Sequence, residues 1–218
     1  MIDFFHSLTS SDGILSLVTH GGPVLLALII FAECGLLVGF FLPGDSLLIT
    51  AGILIGSQRL DLDFMPLALL LTVSAIIGET AGYFIGKQLG VRLYHKPNSR
   101  LFKRAHLDRT HAFYEKHGGK TIVLARFIPI IRTFVPVVAG AALMSAKKFF
   151  LYNVIGGILW IFGVMALGLV LGQTVKNIGD YLYLIIGIVI VVSTLPPAIE
   201  FIKSRRRAAA EIGITIDK

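Results

Sequence analysis

An all-α polytopic membrane protein is the fold class the sequence predicts, built as an inverted repeat with two opposed re-entrant helical hairpins plus spanning helices. Three observations lead there. The first is composition: of 218 residues, 55% are hydrophobic and only 15% charged, and the mean hydropathy is +0.82. A soluble chain carries about 25% charged residues. The second is the presence of long apolar stretches at 24 to 57, 64 to 86, 121 to 171 and 181 to 202. A spanning helix needs about 20 apolar residues, and these runs are too continuous for the alternating strands of a membrane barrel. The third is that two of the stretches, 24 to 57 and 121 to 171, are broken by proline next to a charge.

The whole chain, 1 to 218, reads as a single transmembrane domain. Its start, "MIDFFHSLTSSDG", has no Lys or Arg and so lacks the basic region of a cleaved signal peptide. The first hairpin region is 24 to 57. Residues 24 to 42 run into Pro43 and Gly44, and 44 to 57 is too short to span. Charge on the N-terminal tail favours the outside. A full first crossing followed by a shorter re-entrant piece fits nearly as well, so the side of the N-terminus stays open. Cys34, the sole cysteine, has no internal disulfide partner and reads as a small buried apolar residue.

Residues 64 to 86 form a spanning helix, and 87 to 120 a basic segment. The latter holds nine basic residues (Lys87, Arg92, Lys96, Arg100, Lys103, Arg104, Arg109, Lys116 and Lys120) against Asp108 and Glu115. The C-terminal tail, 203 to 218, opens on "KSRRR". The positive-inside rule puts both in the cytoplasm, including the C-terminus. Asn98 or Ser99 could cap a helix within the segment, and Gly118 and Gly119 could stop it. A basic amphipathic helix of this kind suits an anionic phospholipid leaflet, though a plain solvated connector would look the same. No nucleic acid is needed to explain the charge. His95, His106, His111 and His117 lack an i, i+4 spacing, so no metal site and no cofactor are expected.

An even number of crossings must separate the two basic clusters. Pro129, Arg132 and Pro136 interrupt 121 to 145, which reads as the second hairpin, entering from the cytoplasm and returning to it. Residues 149 to 171 then cross outward, "GQTVKNIGD" turns, and 181 to 202 cross back.

The two hairpins share a pattern. "FLPGDSLLITAGIL" (41 to 54) and "FIPIIRTFVPVVAGAAL" (127 to 143) both begin Phe-apolar-Pro, both place a charge just after that proline, and both reach Ala-Gly. Chance likeness between apolar stretches is the alternative. Broken helices in inverted repeats are a transporter architecture, because irregular backbone in a bilayer must be buried or line a wet cavity.

The residues that carry chemistry are the charges inside apolar sequence: Glu33, Asp45, Arg126 and Arg132, with Glu79 a fifth, nearer its helix end. Each costs at least about 2.5 to 3.5 kcal/mol at the bilayer centre, so unpaired ones are rare. Two acids in the first hairpin and two arginines in the second would neutralise one another where the hairpins meet. Purely structural ion pairing is one reading. The functional reading divides the work. Arginine keeps its charge and grips phosphate with a planar fork, so Arg126 and Arg132 suit phosphate binding. A desolvated carboxylate can load and release a proton near neutral pH, so Glu33 and Asp45 suit proton coupling. Half-helices opening after Pro43 and Pro129 would add positive dipole ends.

"GETAGYFIGKQLG" spaces Gly78, Gly82, Gly86 and Gly90 four residues apart, a groove for close helix packing rather than a nucleotide fingerprint.

Together, Glu33 with "FLPGDSLL", "GETAGYFIGKQLG" and "ARFIPIIRTFVPVVAG" resemble the DedA family of bacterial membrane proteins, which share the SNARE-associated or VTT domain. The resemblance implies opposed re-entrant hairpins, the bacterial inner membrane, and essential acids and arginines falling on Glu33, Asp45, Arg126 and Arg132. It also implies proton-motive-force-dependent envelope homeostasis, with undecaprenyl phosphate as a substrate proposed for some members and phospholipid scrambling for distant relatives. The residues alone would indicate a small transporter. The expectation is therefore a lipid-phosphate flippase whose partners are lipid phosphate and protons. A proton-coupled transporter of a small ion or solute, a scramblase, and a non-transporting scaffold are the alternatives. An enzyme is not expected, since no nucleophile and base are paired in the sequence. Self-association is left open.

Overall fold

The computed structural model describes residues 11–36, 42–94 and 119–175, all of it helix and connecting turns. The helices are α1 (Ser11–His20), α2 (Gly22–Gly35), α3 (Gly44–Gly56), α4 (Phe64–Tyr94), α5 (Lys120–Ala125), α6 (Pro129–Ala141) and α7 (Ala146–Thr174). The core of the basic segment, the last expected crossing at 181 to 202 and the tail at 203 to 218 lie outside the described residues.

Among the described residues two helices, Phe64–Val91 within α4 and α7, are long and apolar enough to cross a membrane. At 31 and 29 residues they rise about 45 Å each, more than the roughly 30 Å of hydrocarbon. Their outer faces carry exposed Leu69, Val73, Ile77 and Phe84 on α4 and Phe150, Leu151, Leu159 and Leu167 on α7. Rows of this kind on long helices mark a lipid-facing surface. Phe64 meets the ring of Phe162 edge-on, while Ile76, a dozen residues on, receives Asn153, so the two long helices run antiparallel.

α2, α3 and α6 have 14, 13 and 13 residues and rise only about 20 Å, too little to span. α3 and α6 are built alike. α3 follows directly on Pro43, and α6 opens on Pro129. Each ends in a left-handed residue, Gln58 (φ 56°) and Leu143 (φ 57°). Past each, a backbone N–H reaches back five residues: Arg59 to the Leu54 carbonyl at 2.9 Å and Met144 to that of Ala139 at 3.0 Å. Such closures satisfy helix-end carbonyls that would otherwise be orphaned.

The packing crosses over. α3 lies mainly against α7, and α6 against α4. Both contacts are backbone-close. A Cβ at Gly168 would strike the Ile49 carbonyl of α3, and one at Gly86 would strike the Val137 carbonyl of α6. The four-residue glycine spacing in α4 is thus a packing groove: Gly78 takes α2 at Phe31 and Gly35, Gly82 lies under Pro136, and Gly90 meets Ala141.

Three expectations change. The helix foreseen as 64 to 86 runs on to Tyr94, because Gly86 and Gly90 stay clasped to α6 past the end of the continuous apolar run. Pro136 does not interrupt α6. It sits inside the helix and withholds only the N–H that Arg132's carbonyl would accept. The break in this half is at 126 to 128, ahead of Pro129. α1 was not foreseen. It forms because Val18 is buried under α3, and Gly22, at φ +68°, turns the chain into α2.

Among the described residues, apolar side chains collect in two clusters. One joins α1, α2 and α3 to the start of α4 and the second half of α7. The other joins Tyr83 to α5, α6 and the start of α7. There the Tyr83 hydroxyl donates to the Met144 carbonyl, and its ring stacks on Phe149 at 4.5 Å. The buried charges belong to neither cluster.

Candidate functional site

Two chain breaks place the charges. α2 ends at Gly35, and α3 restarts at Gly44 beside it: a Cβ at Gly44 would collide with the Glu33 carboxylate. Glycine is required there, since this approach is what brings the end of one short helix against the start of the next. Asp45 lies in the first turn of α3 and Arg132 in that of α6. The carboxylate sits at a favourable dipole end and the arginine at an unfavourable one. Arg132 is held there by two acids.

The Arg132 fork divides between them. Nη1 donates to Asp45 Oδ1 at 2.8 Å, and Nη2 pairs with Glu33 Oε1. Glu33 is 1% exposed and Arg132 4%, whereas the Asp45 side chain keeps 21% of its surface. Asp45 is therefore the open end of this group. Trp160 of α7 completes it: its Nε1 donates to the same Asp45 oxygen at 2.9 Å, and the Arg132 guanidinium lies 4.5 Å from its ring centre.

Arg126, the residue that ends α5, takes a different partner. Its Nη2 lies 2.9 Å from Glu79 Oε2 on α4, and it donates to Asn153 Oδ1 on α7. The Glu79 contact has ion-pair distance but is not aligned as a hydrogen bond, so Asn153 takes the bond. Asn153 Nδ2 in turn donates to the Ile76 carbonyl and to Thr80 Oγ1, each at 3.1 Å. Gly156 and Gly157 leave room for the arginine stem, since a Cβ at Gly156 would press on Arg126 Cδ. Cys34, buried as expected, lies within electrostatic reach of both groups.

Glu33, Asp45 and Arg132 thus meet, as the shared hairpin pattern suggests. Arg126 instead joins Glu79, set aside in sequence as lying nearer its helix end. Trp160 and Asn153 were missed. Both stand in a helix that reads as uniformly apolar, and the only signal is their seven-residue spacing around Gly156 and Gly157, which keeps them on one face. Arg126 Nε and Nη1 and Arg132 Nε are buried and have no acceptor among the described residues. A buried donor left unmade costs about 1 to 3 kcal/mol, more when charged. The arrangement can therefore take an anion with several oxygens, or exchange one acceptor for another. Among the described residues, no cluster of His, Cys, Asp and Glu could hold a metal ion.

Comparison with known proteins identifies the family. The VTT domain family matches residues 42–170. The chain is 49% identical over 185 residues to Protein DedA of Escherichia coli strain K12, covering 85% of this chain and 84% of that one. It is 40% identical over 186 residues to an uncharacterized membrane protein of Mycobacterium tuberculosis strain H37Rv, covering 84% and 81%. It is also 37% identical over 151 residues to the inner membrane protein YqjA of Escherichia coli strain K12, covering 69% and 67%. No solved structure matches the chain.

Proposed function

The chain belongs to the DedA family of VTT-domain membrane proteins, and on that premise we propose that it is a proton-motive-force-dependent flippase. Its substrate is a lipid phosphate, undecaprenyl phosphate, moved across the bacterial inner membrane. The observation that carries this reading is a pair of buried arginines, each held by a carboxylate and still carrying free N–H donors. Carboxylate and phosphate are alternative partners for one guanidinium. Proton uptake by an acid releases its arginine to the phosphate, and proton loss recovers it. Arg126 and Arg132 bind the headgroup in this scheme, and Glu33 and Asp45 load the proton. Glu79 plays for Arg126 the part that Glu33 plays for Arg132. No step calls for an enzyme's nucleophile.

The topology follows the same reading. 44 to 57 and 130 to 145 are re-entrant and oppositely directed, which the matched lengths and caps of α3 and α6 support. Single cysteines near Asp61 should label from outside the cell, and those near Lys147, His106 and Ser204 from inside. External labelling near Lys147 would mean that the second hairpin crosses completely and would remove the inverted repeat.

A second reading, proton-coupled transport of a small cation, draws on one fact: the three acids paired here, Glu33 and Glu79 buried and Asp45 partly exposed, outnumber the two arginines. Purified protein in liposomes separates the readings. A labelled lipid phosphate should change leaflets faster with a pH gradient than without. Gradient-driven cation flux with no lipid movement would favour the second reading, and lipid exchange indifferent to the gradient would make the protein a scramblase.

A further inference from the structure

Among the described residues, Trp160 is the one side chain outside the Arg132 group with a hydrogen bond to Asp45 and a ring contact to Arg132. Its N–H holds Asp45 at 2.9 Å, and its ring face holds the Arg132 guanidinium. It comes from α7, whereas Glu33, Asp45 and Arg132 come from α2, α3 and α6. Resting on the transport reading above, we propose that Trp160 is the positioning residue that links proton loading at Asp45 to anion binding at Arg132.

The chemistry of the two contacts differs in a useful way. A carboxyl group accepts a hydrogen bond from an indole N–H whether or not it is protonated. Its attraction for a guanidinium, by contrast, depends on its charge. When Asp45 takes up a proton, Arg132 is released and Asp45 is not. The freed guanidinium still has a seat, because the attraction of a cation to an aromatic face needs no carboxylate. Arg132 can then turn its fork to a phosphate monoester without drifting from the site. When the phosphate leaves, Asp45 is still in place to be deprotonated and to recapture the arginine. Both ends of the exchange are thus fixed to one rigid ring. The other groups within reach of Asp45 and Arg132 are Glu33 and Cys34 of α2 and, further off, Glu79 of α4 and Arg126. None of them touches both partners through contacts that respond differently to a proton. Glu33 carries a charge of its own and has no exposed path comparable to the 21% exposure of Asp45.

The same residue reports on the idea, because it is the only tryptophan in the chain. In the unaltered protein in phosphatidylcholine vesicles, farnesyl phosphate should shift or quench the tryptophan emission and farnesol should not. Lowering the pH should change the emission too, and that response should be missing in Asp45→Asn. Trp160→Phe keeps a ring for the guanidinium and loses the N–H. It should bind radiolabelled farnesyl phosphate within about fivefold of the unaltered protein, the scale of a weakened aromatic contact, while the pH dependence of transport is lost. Trp160→Leu should lose both. If saturating farnesyl phosphate leaves the emission unchanged in vesicles that still move lipid phosphate, Trp160 has no part in the site and the transport reading stands. If the unaltered protein moves no lipid phosphate, the transport reading falls and this inference with it. If the Phe and Leu variants fall equally in binding and in pH response, Trp160 only fills space.

Discussion

Arg132→Lys is expected to insert and stay folded, yet to lose affinity for a lipid phosphate by roughly thirtyfold, the equivalent of about 2 kcal/mol for a lost charge-assisted bond. The reason is the geometry of the fork. Two nitrogens of Arg132 serve two acids on different helices, Asp45 of α3 and Glu33 of α2, and a third, Nε, is still unpaired. Lysine restores the charge but concentrates it on one atom at the end of a flexible stem. It can balance the acids. It cannot hold both of them apart and present a planar edge to a phosphate. Arg132→Ala is the less useful change, because it leaves the buried Glu33 carboxylate beside that of Asp45 with no cation between them, a loss of about 3 to 5 kcal/mol of stability. Arg126→Lys should behave like Arg132→Lys, since Arg126 also meets an acid, Glu79, and an amide, Asn153, at one corner of its fork and keeps Nε and Nη1 unpaired. Binding isotherms with a polyprenyl phosphate, set beside thermal melts in detergent, separate recognition from folding. Wild-type affinity in both lysine variants would reduce the arginines to charge balance.

The pairing of Arg132 with Glu33 and Asp45 was legible because it follows from a local rule. A proline restarts each broken helix, and the charged residue just inside it must face the other break or face lipid. Two such breaks in one small chain have little choice but to meet. The partner of Arg126 was not legible, for an equally local reason. With α4 ended at 86, Glu79 sits close to its exit, where a carboxylate costs little. The helix in fact runs from Phe64 to Tyr94, and Glu79 falls at its midpoint. The residues that extend it mix Lys87, Gln88 and Arg92 with Leu89, Val91 and Leu93, and they stay helical through close packing of Gly86 and Gly90 on α6, which no periodicity in α4 itself announces. Trp160 and Asn153 were hidden differently. Each is a single uncharged residue in an apolar helix, so their roles appear only once α3, α4 and the 126–132 segment are brought up against α7. α1 went unseen because its one buried anchor among the described side chains at that depth, Val18, matters only through α3.

Glu33→Gln and Asp45→Asn are expected to keep binding a lipid phosphate and to lose proton-coupled transport. Each substitution mimics the protonated acid and removes a charge that competes with phosphate for Arg132. Binding at neutral pH should therefore hold steady or tighten. Transport should fall, because a neutral amide cannot release a proton to take the arginine back. The linkage is reciprocal: if protonation favours phosphate, phosphate must favour protonation, and both changes must vanish together in the variants. The two acids should not be equal. Asp45 is the exposed member and Glu33 the sealed one, so Asp45→Asn should abolish the response to a pH gradient outright. Glu33→Gln should add a loss of stability as well, because an amide packed where Gly44 leaves room only for the Glu33 carboxylate brings an NH2 group against the donors of Arg132. Binding, melting temperature and gradient-driven transport measured on one preparation test all of this. Transport by both variants with an unchanged response to the gradient would place the coupling proton elsewhere, with Glu79 beside Arg126 the next carboxylate to replace. Asp45 would then be at the head of α3 only to neutralise an arginine.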